Sequence, residues 1–433
     1  MLSSADAALV RRDGAIPGLA VVLDPDALAA ALRRAAPDAD LRTAQITYAR
    51  YKPDAYCRVT CRLDVAGAEL GLDVRACRPD DFAAWRENGA GASVSGLLGP
   101  GRIVLEHCAV LATVFPNDLK LTALQHLTDS VERRELLREL LPDRPDLWQG
   151  ELRCLRYQPE RRYVAELRAA DGARAVLKSY TRKAFTRGKR NATAFESRGP
   201  LRVARLLGCS EGHRLLAFEW LPGRTLLDCF AAPEVERAAA VSTAAAALAE
   251  LHAQPPDGLV CWTPEDEVLY VSSLAAEIAF ICPWLARRAE QLGRRLGAEM
   301  AVTPAMHLSV HGDFSGSQVL VDQREAAIVD LDSAYCGDPA YDLGKFVAQA
   351  EDCALLGDLS PSQVELLRDA LLQGYGRARG RAVPERIRWY TAAALIRRAR
   401  FPFRAREPDW PQRTESLLDR AEAVATRCRR ESG

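Results

Sequence analysis

Apolar and polar residues alternate through residues 46–65, ITYARYKPDAYCRVTCRLDV, on both sides of a Lys-Pro-Asp turn, and period-two alternation around a turn predicts a β-hairpin. Residues 152–168, LRCLRYQPERRYVAELR, repeat the pattern: aligning Tyr51-Lys52-Pro53 on Tyr157-Gln158-Pro159 gives an offset of 106 residues. Thr113-Val114-Phe115-Pro116 and Glu219-Trp220-Leu221-Pro222 close an apolar strand with a proline at the same offset of 106. Two landmarks at one spacing predict a duplicated β-rich module. In the second copy, residues 174–180 read as a third strand, 183–198 as a helix, and 201–207 and 213–220 as two further strands. Leu221-Pro222-Gly223 breaks the pattern as a hinge. Residues 235–252 are alanine-rich and helical up to Pro255-Pro256, and the rest reads as mostly helical, with short apolar strands at 309–311, 318–321 and 327–331. The pattern predicts an α+β chain in three parts: an N-terminal cap at 1–145 resembling a duplicated small lobe, a β-rich small lobe at 146–221, and a helical large lobe at 222–433.

Composition narrows the partners. Fifty-eight Lys and Arg against 58 Asp and Glu leave a net charge of zero, whereas binding to nucleic acid draws its affinity from a surplus of cations; no nucleic-acid partner is expected. The N-terminus lacks a basic segment followed by an apolar one, and no run reaches the roughly 18 apolar residues of a membrane span, so a cytoplasmic protein without a membrane partner is expected. Most of the 12 cysteines, scattered from Cys57 to Cys428 with no CxxC, read as buried thiols. Cys57 and Cys61 share a strand but lack the further ligands a zinc site needs.

Candidate chemistry is concentrated in His311-Gly312-Asp313-Phe314-Ser315-Gly316-Ser317-Gln318, followed by Asp330-Leu331-Asp332 and then Gly337-Asp338-Pro339-Ala340-Tyr341-Asp342. Phosphoryl transfer requires a carboxylate near the acceptor hydroxyl and oxygen donors for a divalent cation, because its transition state is stabilised by positioning and charge neutralisation. Asp313 begins a tight loop, Gln318 re-enters a strand, and Asp330 closes the next one, where it can approach Gln318 across a hairpin. A carboxylate and a side-chain carbonyl are the hard donors that Mg²⁺ takes.

This stretch resembles the aminoglycoside phosphotransferase and choline kinase superfamily, which shares the bilobal protein-kinase fold. The resemblance implies that Asp313 is the catalytic base, that His311 supports its loop, that Gln318 and Asp330 are metal ligands, and that Asp338 and Asp342 are structural supports. The family's usual amide is Asn; Gln318, with a second acid at Asp332, resembles the maltokinase pattern and adds Asp332 to the metal candidates. The implied cofactors are ATP (or GTP) and Mg²⁺. Lys178 on the third strand is the expected phosphate contact, Glu196 on the following helix its carboxylate partner, and Glu219, Trp220 and Leu221 the hinge against the nucleotide base. The turn Gln158-Pro159-Glu160-Arg161-Arg162 carries no glycine where kinases have a glycine-rich loop, and Arg161 or Arg162 is the candidate substitute. The first copy places Leu72 where the second has Lys178, and no His-x-Asp segment follows it, so it reads as a cap and not a second catalytic unit.

The expected reaction is transfer of the γ-phosphoryl group to a hydroxyl of a small, sugar-like acceptor. From Tyr375 onward there are fifteen Arg, no Lys and seven acids, including Glu385 and Glu431. Such a surface disfavours polycationic aminoglycosides, unless these arginines pair with acids on neighbouring helices. Glu265-Asp266-Glu267 reads as the first turn of a helix capped by Thr263 and opened by Pro264. Trp389, Tyr390, Phe401, Phe403 and Trp410 are the aromatic candidates for stacking on a sugar. Three alternatives stand beside this reading: a nucleotide-binding pseudokinase or regulatory module, an aminoglycoside-type antibiotic phosphotransferase, and a nucleotidyl transferase on the same fold.

Overall fold

The computed structural model describes residues 2–87, 93–302, 306–322, 324–380 and 386–426, and Cys428, Glu385 and Glu431 lie outside them. The chain forms two compact units: Met1–Phe185 with Gly208–Ala217 and Pro402–Pro411, and Thr186–Leu207 with Phe218–Phe401 and Gln412–Gly433.

The first unit is rich in strands. Three N-terminal helices, Ser4–Arg12, Leu19–Leu23 and Pro25–Ala35, precede them. The third starts where Asp24 accepts the N–H groups of Asp26 and Ala27, with Pro25 at the first helical position, where its missing N–H costs nothing. β1 (Leu41–Lys52), β2 (Tyr56–Val65), β3 (Ala68–Cys77), β4 (Arg102–Leu105) and β5 (Val110–Val114) form an antiparallel sheet in the order β1-β2-β3-β5-β4. The predicted first hairpin closes at Lys52 opposite Tyr56, with Asp54 in the left-handed region at φ 52°. Cys57, Val59, Cys61, Leu63 and Val65 of β2 are all buried, and the thiols of Cys57 and Cys61 act as small apolar groups. Most of the described cysteines are buried, as expected; Cys154 and Cys261 are exposed.

β6 (Glu151–Gln158), β7 (Arg162–Arg168) and β8 (Arg174–Tyr180) continue the chain; β9 (Leu201–Arg202) leaves for another sheet, and β10 (Leu206–Ser210) and β11 (Leu215–Glu219) return. The second sheet runs β10-β11-β8-β7-β6, so the two sheets correspond strand for strand. Each inserts a helix after its third strand, Pro79–Glu87 in one and Arg182–Asn191 in the other. Two expectations change here. Residues 201–207, read as one strand, are two: β9, which belongs to the second unit, pairs in parallel with another strand of that unit, while Val203 between them donates its N–H to Ser197 Oγ at 3.0 Å. The helix read as 183–198 stops at Asn191 because tertiary partners replace its helical ones: Glu196 donates its N–H to Gln254 Oε1 at 2.9 Å and accepts from Gln254 Nε2 at 2.8 Å.

In the second unit, β12 (Arg224–Thr225), β14 (Val319–Asp322), β15 (Glu325–Ile328) and β9 form one sheet, and β13 (Leu308–Val310) pairs with β16 (Tyr335–Gly337). The strands expected at 309–311, 318–321 and 327–331 correspond to β13, β14 and β15, the last already ending at Ile328, whereas β12 and β16 are not among those expected. The rest is helical. Helix Glu234–Ala253 buries Ala240, Ala244, Ala245, Leu248 and Leu251. Helix Pro361–Arg379 lies close against it because Gly374 has no side chain; a Cβ there would meet the Cβ of Ala245 at 3.0 Å and the Ser242 carbonyl at 3.1 Å. Thr263 and Asp266 form the expected capping box of helix Pro264–Ile281, with Pro264 at its first position. Among the described residues no helix is long and apolar enough to cross a membrane.

Candidate active site

The loop after β13 is held by backbone and helix. His311 is fully buried and accepts the Asp313 N–H at Nδ1, 3.0 Å away. Its proton therefore resides on Nε2, which donates to the Val329 carbonyl at 2.8 Å. Gly312 has φ 76°, and a Cβ there would lie 2.3 Å from the Ser333 carbonyl oxygen, so any side chain would force the loop apart.

One face of helix Ala340–Leu355 supports this loop at three points. Asp342 Oδ2 accepts the His311 N–H at 2.6 Å and Oδ1 the Gly312 N–H at 2.9 Å. Lys345 donates to Asp313 Oδ1 and, at 3.3 Å, to the Gly312 carbonyl. Gln349 Oε1 accepts the Gly316 N–H at 2.6 Å. Positions i, i+3 and i+7 lie on one helical face, so a single rigid element orients residues 311–316. His252 Nε2 lies 3.1 Å from Asp342 Oδ2, and its Nδ1 is 2.9 Å from the Tyr375 hydroxyl. Burial pushes the Asp342 carboxyl up, but His252, His311 and the backbone N–H outweigh it and hold the group below its ordinary value. We expect Asp342→Asn to lose about 2 kcal/mol of stability, because a neutral amide replaces a charged acceptor of two backbone N–H groups. Chemical denaturation of both proteins checks this, and an unchanged midpoint would contradict it.

Asp313 is half-buried and sits between two cations from different helices: Lys345, and Arg397 of helix Ile387–Arg398, whose Nη2 is 3.3 Å from Oδ1. Burial alone would push the Asp313 carboxyl up; Lys345 and Arg397 outweigh it and hold the group below its ordinary value. In return burial, reinforced by Arg397, draws the Lys345 ammonium down to about 8 against the pull of Asp313. Both cations bind Oδ1, and among the described residues no hydrogen bond reaches Oδ2. Sequence reading missed Lys345 and Arg397. The spacing Asp342 to Lys345 is a usable local signal, while Arg397 has none.

A narrow recess beside these cations is lined by Trp262, Tyr270, Tyr341 and Tyr390 as well as Lys345 and Arg397. Of the five aromatic residues singled out in sequence, only Tyr390 lines it; Trp389 is buried, and Phe403 and Trp410 pack together in the first unit. Glu267 is also turned inward, beyond its part in the first helical turn. It accepts from the Tyr390 hydroxyl at 2.7 Å, and burial pushes its carboxyl up.

Gln318, just before β14, and Asp330, just past β15, are brought together by the Val329 N–H donating to the Gln318 carbonyl at 2.9 Å. Asp330 takes a left-handed conformation, φ 66°, two residues past β15. Asp332 follows on the short turn Leu331–Ser333, whose backbone is held by Asn191: its Nδ2 donates to the carbonyls of Leu331 at 3.1 Å and Ala334 at 2.9 Å. Asp338 caps helix Ala340–Leu355 by accepting the Ala340 N–H at 2.9 Å and binds Arg386 at 2.8 Å. Lys178 is buried on β8 opposite Val164. Glu196, expected on the helix, lies past its end with its carboxylate exposed and paired to Arg198 at 2.9 Å. Glu219 ends β11 and exchanges bonds with Arg205, its N–H donating to the Arg205 carbonyl at 2.9 Å; Trp220 and Leu221 follow, half-buried.

The C-terminal arginines resolve in favour of pairing. Arg386 bonds Asp338, Arg398 and Arg413 bond Asp352, Arg400 bonds Glu277, and Arg420 bonds Glu351. Part of the local excess is therefore neutralised by acids elsewhere in the same unit.

Comparison with known proteins places this arrangement. No curated protein sequence matches the chain. Among solved structures, it is similar to aminoglycoside phosphotransferase APH(4)-Ia in ternary complex with ADP and hygromycin B, at 16% identity over 68% of this chain and 98% of the other, with a TM-score of 0.49. It is also similar to macrolide 2'-phosphotransferase MphH from Brachybacterium faecium, at 20% identity over 62% and 92%, with a TM-score of 0.41. The model of the APH phosphotransferase enzyme family matches residues 160–390, from the turn of the second hairpin to the helix that carries Tyr390. That is more than half of the chain, and the protein therefore belongs to the phosphotransferase enzyme family.

Proposed function

We propose that this phosphotransferase is an ATP- (or GTP-) and Mg²⁺-dependent small-molecule kinase acting on a hydroxyl of a sugar-like acceptor. One observation carries the reading: Asp313 is kept ionised and oriented by two cations on one oxygen, while its other oxygen carries no bond among the described residues. An acceptor hydroxyl donating to Oδ2 would be aligned for attack and would lose its proton to that oxygen. Lys345 and Arg397 stay beside the reacting centre as Asp313 is neutralised, so their charge becomes available to the phosphoryl oxygens as it is needed. Gln318 and Asp330, with Asp332 nearby, offer the hard oxygen donors that fit Mg²⁺, which would neutralise charge on the β- and γ-phosphates. Lys178 is the proposed contact to the nucleotide phosphates, and Glu219 to Leu221 the proposed seat for its base.

The charges around Asp313 support a neutral acceptor over a polycationic one. Asp313 is already engaged by Lys345 and Arg397, and Glu267, the acid that lines the recess, by the Tyr390 hydroxyl and by Arg386 at 3.7 Å. Neither of these two carboxylates is left over for an amine-bearing antibiotic. The test is nucleotide turnover measured against neutral sugars, sugar phosphates, amino alcohols and aminoglycosides, with Asp313→Ala as control. Turnover dependent on Asp313 with neutral sugars is expected; turnover confined to aminoglycosides would overturn the acceptor assignment.

A further inference from the structure

We infer that the first unit holds a phosphate-binding site formed by the face of β1 and β2 and the hairpin that joins β6 to β7. A cavity of about 180 Å³ there is lined by Tyr48 and Arg50 of β1, Arg58 and Thr60 of β2, and Arg156 and Arg161 of the second hairpin. Tyr48 lies opposite Thr60 and Arg50 opposite Arg58, so these four side chains share one face of the sheet.

The charge balance around this cavity is uneven. The acids nearby are already committed. Glu160, at φ 50° in the glycine-free turn, is 3.2 Å from Arg58, 2.8 Å from Arg75 and 2.8 Å from Lys120. Asp73 holds Arg58 at 2.6 Å, and Asp118 accepts the Glu160 N–H at 2.6 Å and the Tyr157 hydroxyl at 2.9 Å. This network fixes the turn against β2 and β3 with its own charges matched. It leaves Arg50, Arg156 and Arg161, for which no carboxylate lies within ion-pair distance among the described residues. Partial desolvation, together with the neighbouring charges of Arg50, Arg162 and Arg404, lowers the Arg161 guanidinium below its ordinary value, as expected where cations crowd without a counter-charge.

The missing anion is a phosphoryl group. Guanidinium groups converging from two hairpins match a tetrahedral oxyanion through forked hydrogen bonds. The cavity is smaller than the roughly 300–1,000 Å³ of pockets for drug-sized ligands, which restricts it to a small anion or to the phosphate end of a larger molecule. Two sources share this chemistry: free phosphate or pyrophosphate, and the phosphate tail of a nucleotide.

Titration calorimetry of the full-length chain with pyrophosphate tests the site by binding alone, so its outcome is independent of whether the protein acts as a sugar kinase. The wild type is expected to bind, and Arg50→Ala/Arg161→Ala to bind at least tenfold more weakly. Arg156→Ala, a single change at an exposed position, gives the same readout if the double variant does not fold. Pyrophosphate still bound in the presence of saturating ATP points to a free anion, whereas displacement by ATP points to the nucleotide's own phosphates. No binding by the wild type, or equal binding by the arginine variants, would overturn the proposal.

Discussion

Asp313→Asn is expected to lower kcat by about 10²–10⁴-fold, the usual contribution of a general base, while leaving the protein folded and nucleotide affinity within a few-fold of wild type. The amide keeps the shape of the carboxylate but cannot take a proton from the acceptor. It also leaves Lys345 and Arg397 without the charge that holds them together, so the Lys345 ammonium, already drawn down to about 8 by burial and Arg397, becomes still harder to keep protonated. The loss should fall on kcat and kcat/KM together, because the removed interaction develops in the transition state. Steady-state kinetics with circular dichroism as a fold control distinguishes the cases. Wild-type turnover in the variant would remove Asp313 from the mechanism.

Lys345→Met carries the second large effect, an expected 10- to 100-fold drop in kcat together with a changed pH profile. The sign follows from the pair. In the wild type Asp313 is held below its ordinary value, so the base stays ionised as pH falls, and the acid limb of activity lies low. Lys345 titrates near pH 8, so activity should decline as pH rises through that value and the ammonium loses its proton. Methionine removes the alkaline limb. It also removes the first of the two charges opposing burial at Asp313, so the acid limb moves upward. Lys345→Arg should restore much of the rate and shift the alkaline limb beyond reach, since guanidinium stays charged. A rate loss with both limbs unmoved would make Lys345 structural only.

Fold and site were legible to different depths. The two hairpins could be read because alternation and the turn residues Pro53 and Pro159 act within a few positions. Helix Pro264–Ile281 could be read from its cap, since Thr263, Pro264 and Asp266 interact within one turn. The end of helix Arg182–Asn191 could not, because Gln254, far along the chain, supplies the partners that draw Glu196 out of helical conformation. The two strands within 201–210 look like one in sequence, since nothing local says that they join different sheets. The C-terminal arginines resembled a basic surface for the same reason: their acids Asp338, Asp352, Glu277 and Glu351 lie on other helices.

The sequence by itself determined the loop that carries Asp313. His311, Gly312, Asp313 and Gln318 act through backbone geometry over eight positions, and Asp342 follows on a helix whose start is set by Asp338. It also determined the 106-residue correspondence between the two hairpins. Only the tertiary structure decided what surrounds Asp313. Lys345 and Arg397 reach it from two helices, Trp262 and Tyr270 join Tyr341 and Tyr390 in the recess, and Glu160 turns from a presumed phosphate loop toward Arg58 and Arg75. The reason is physical: a backbone conformation is set by near neighbours, whereas the field at a carboxylate is set by every charge within a few ångströms, whatever its distance along the chain.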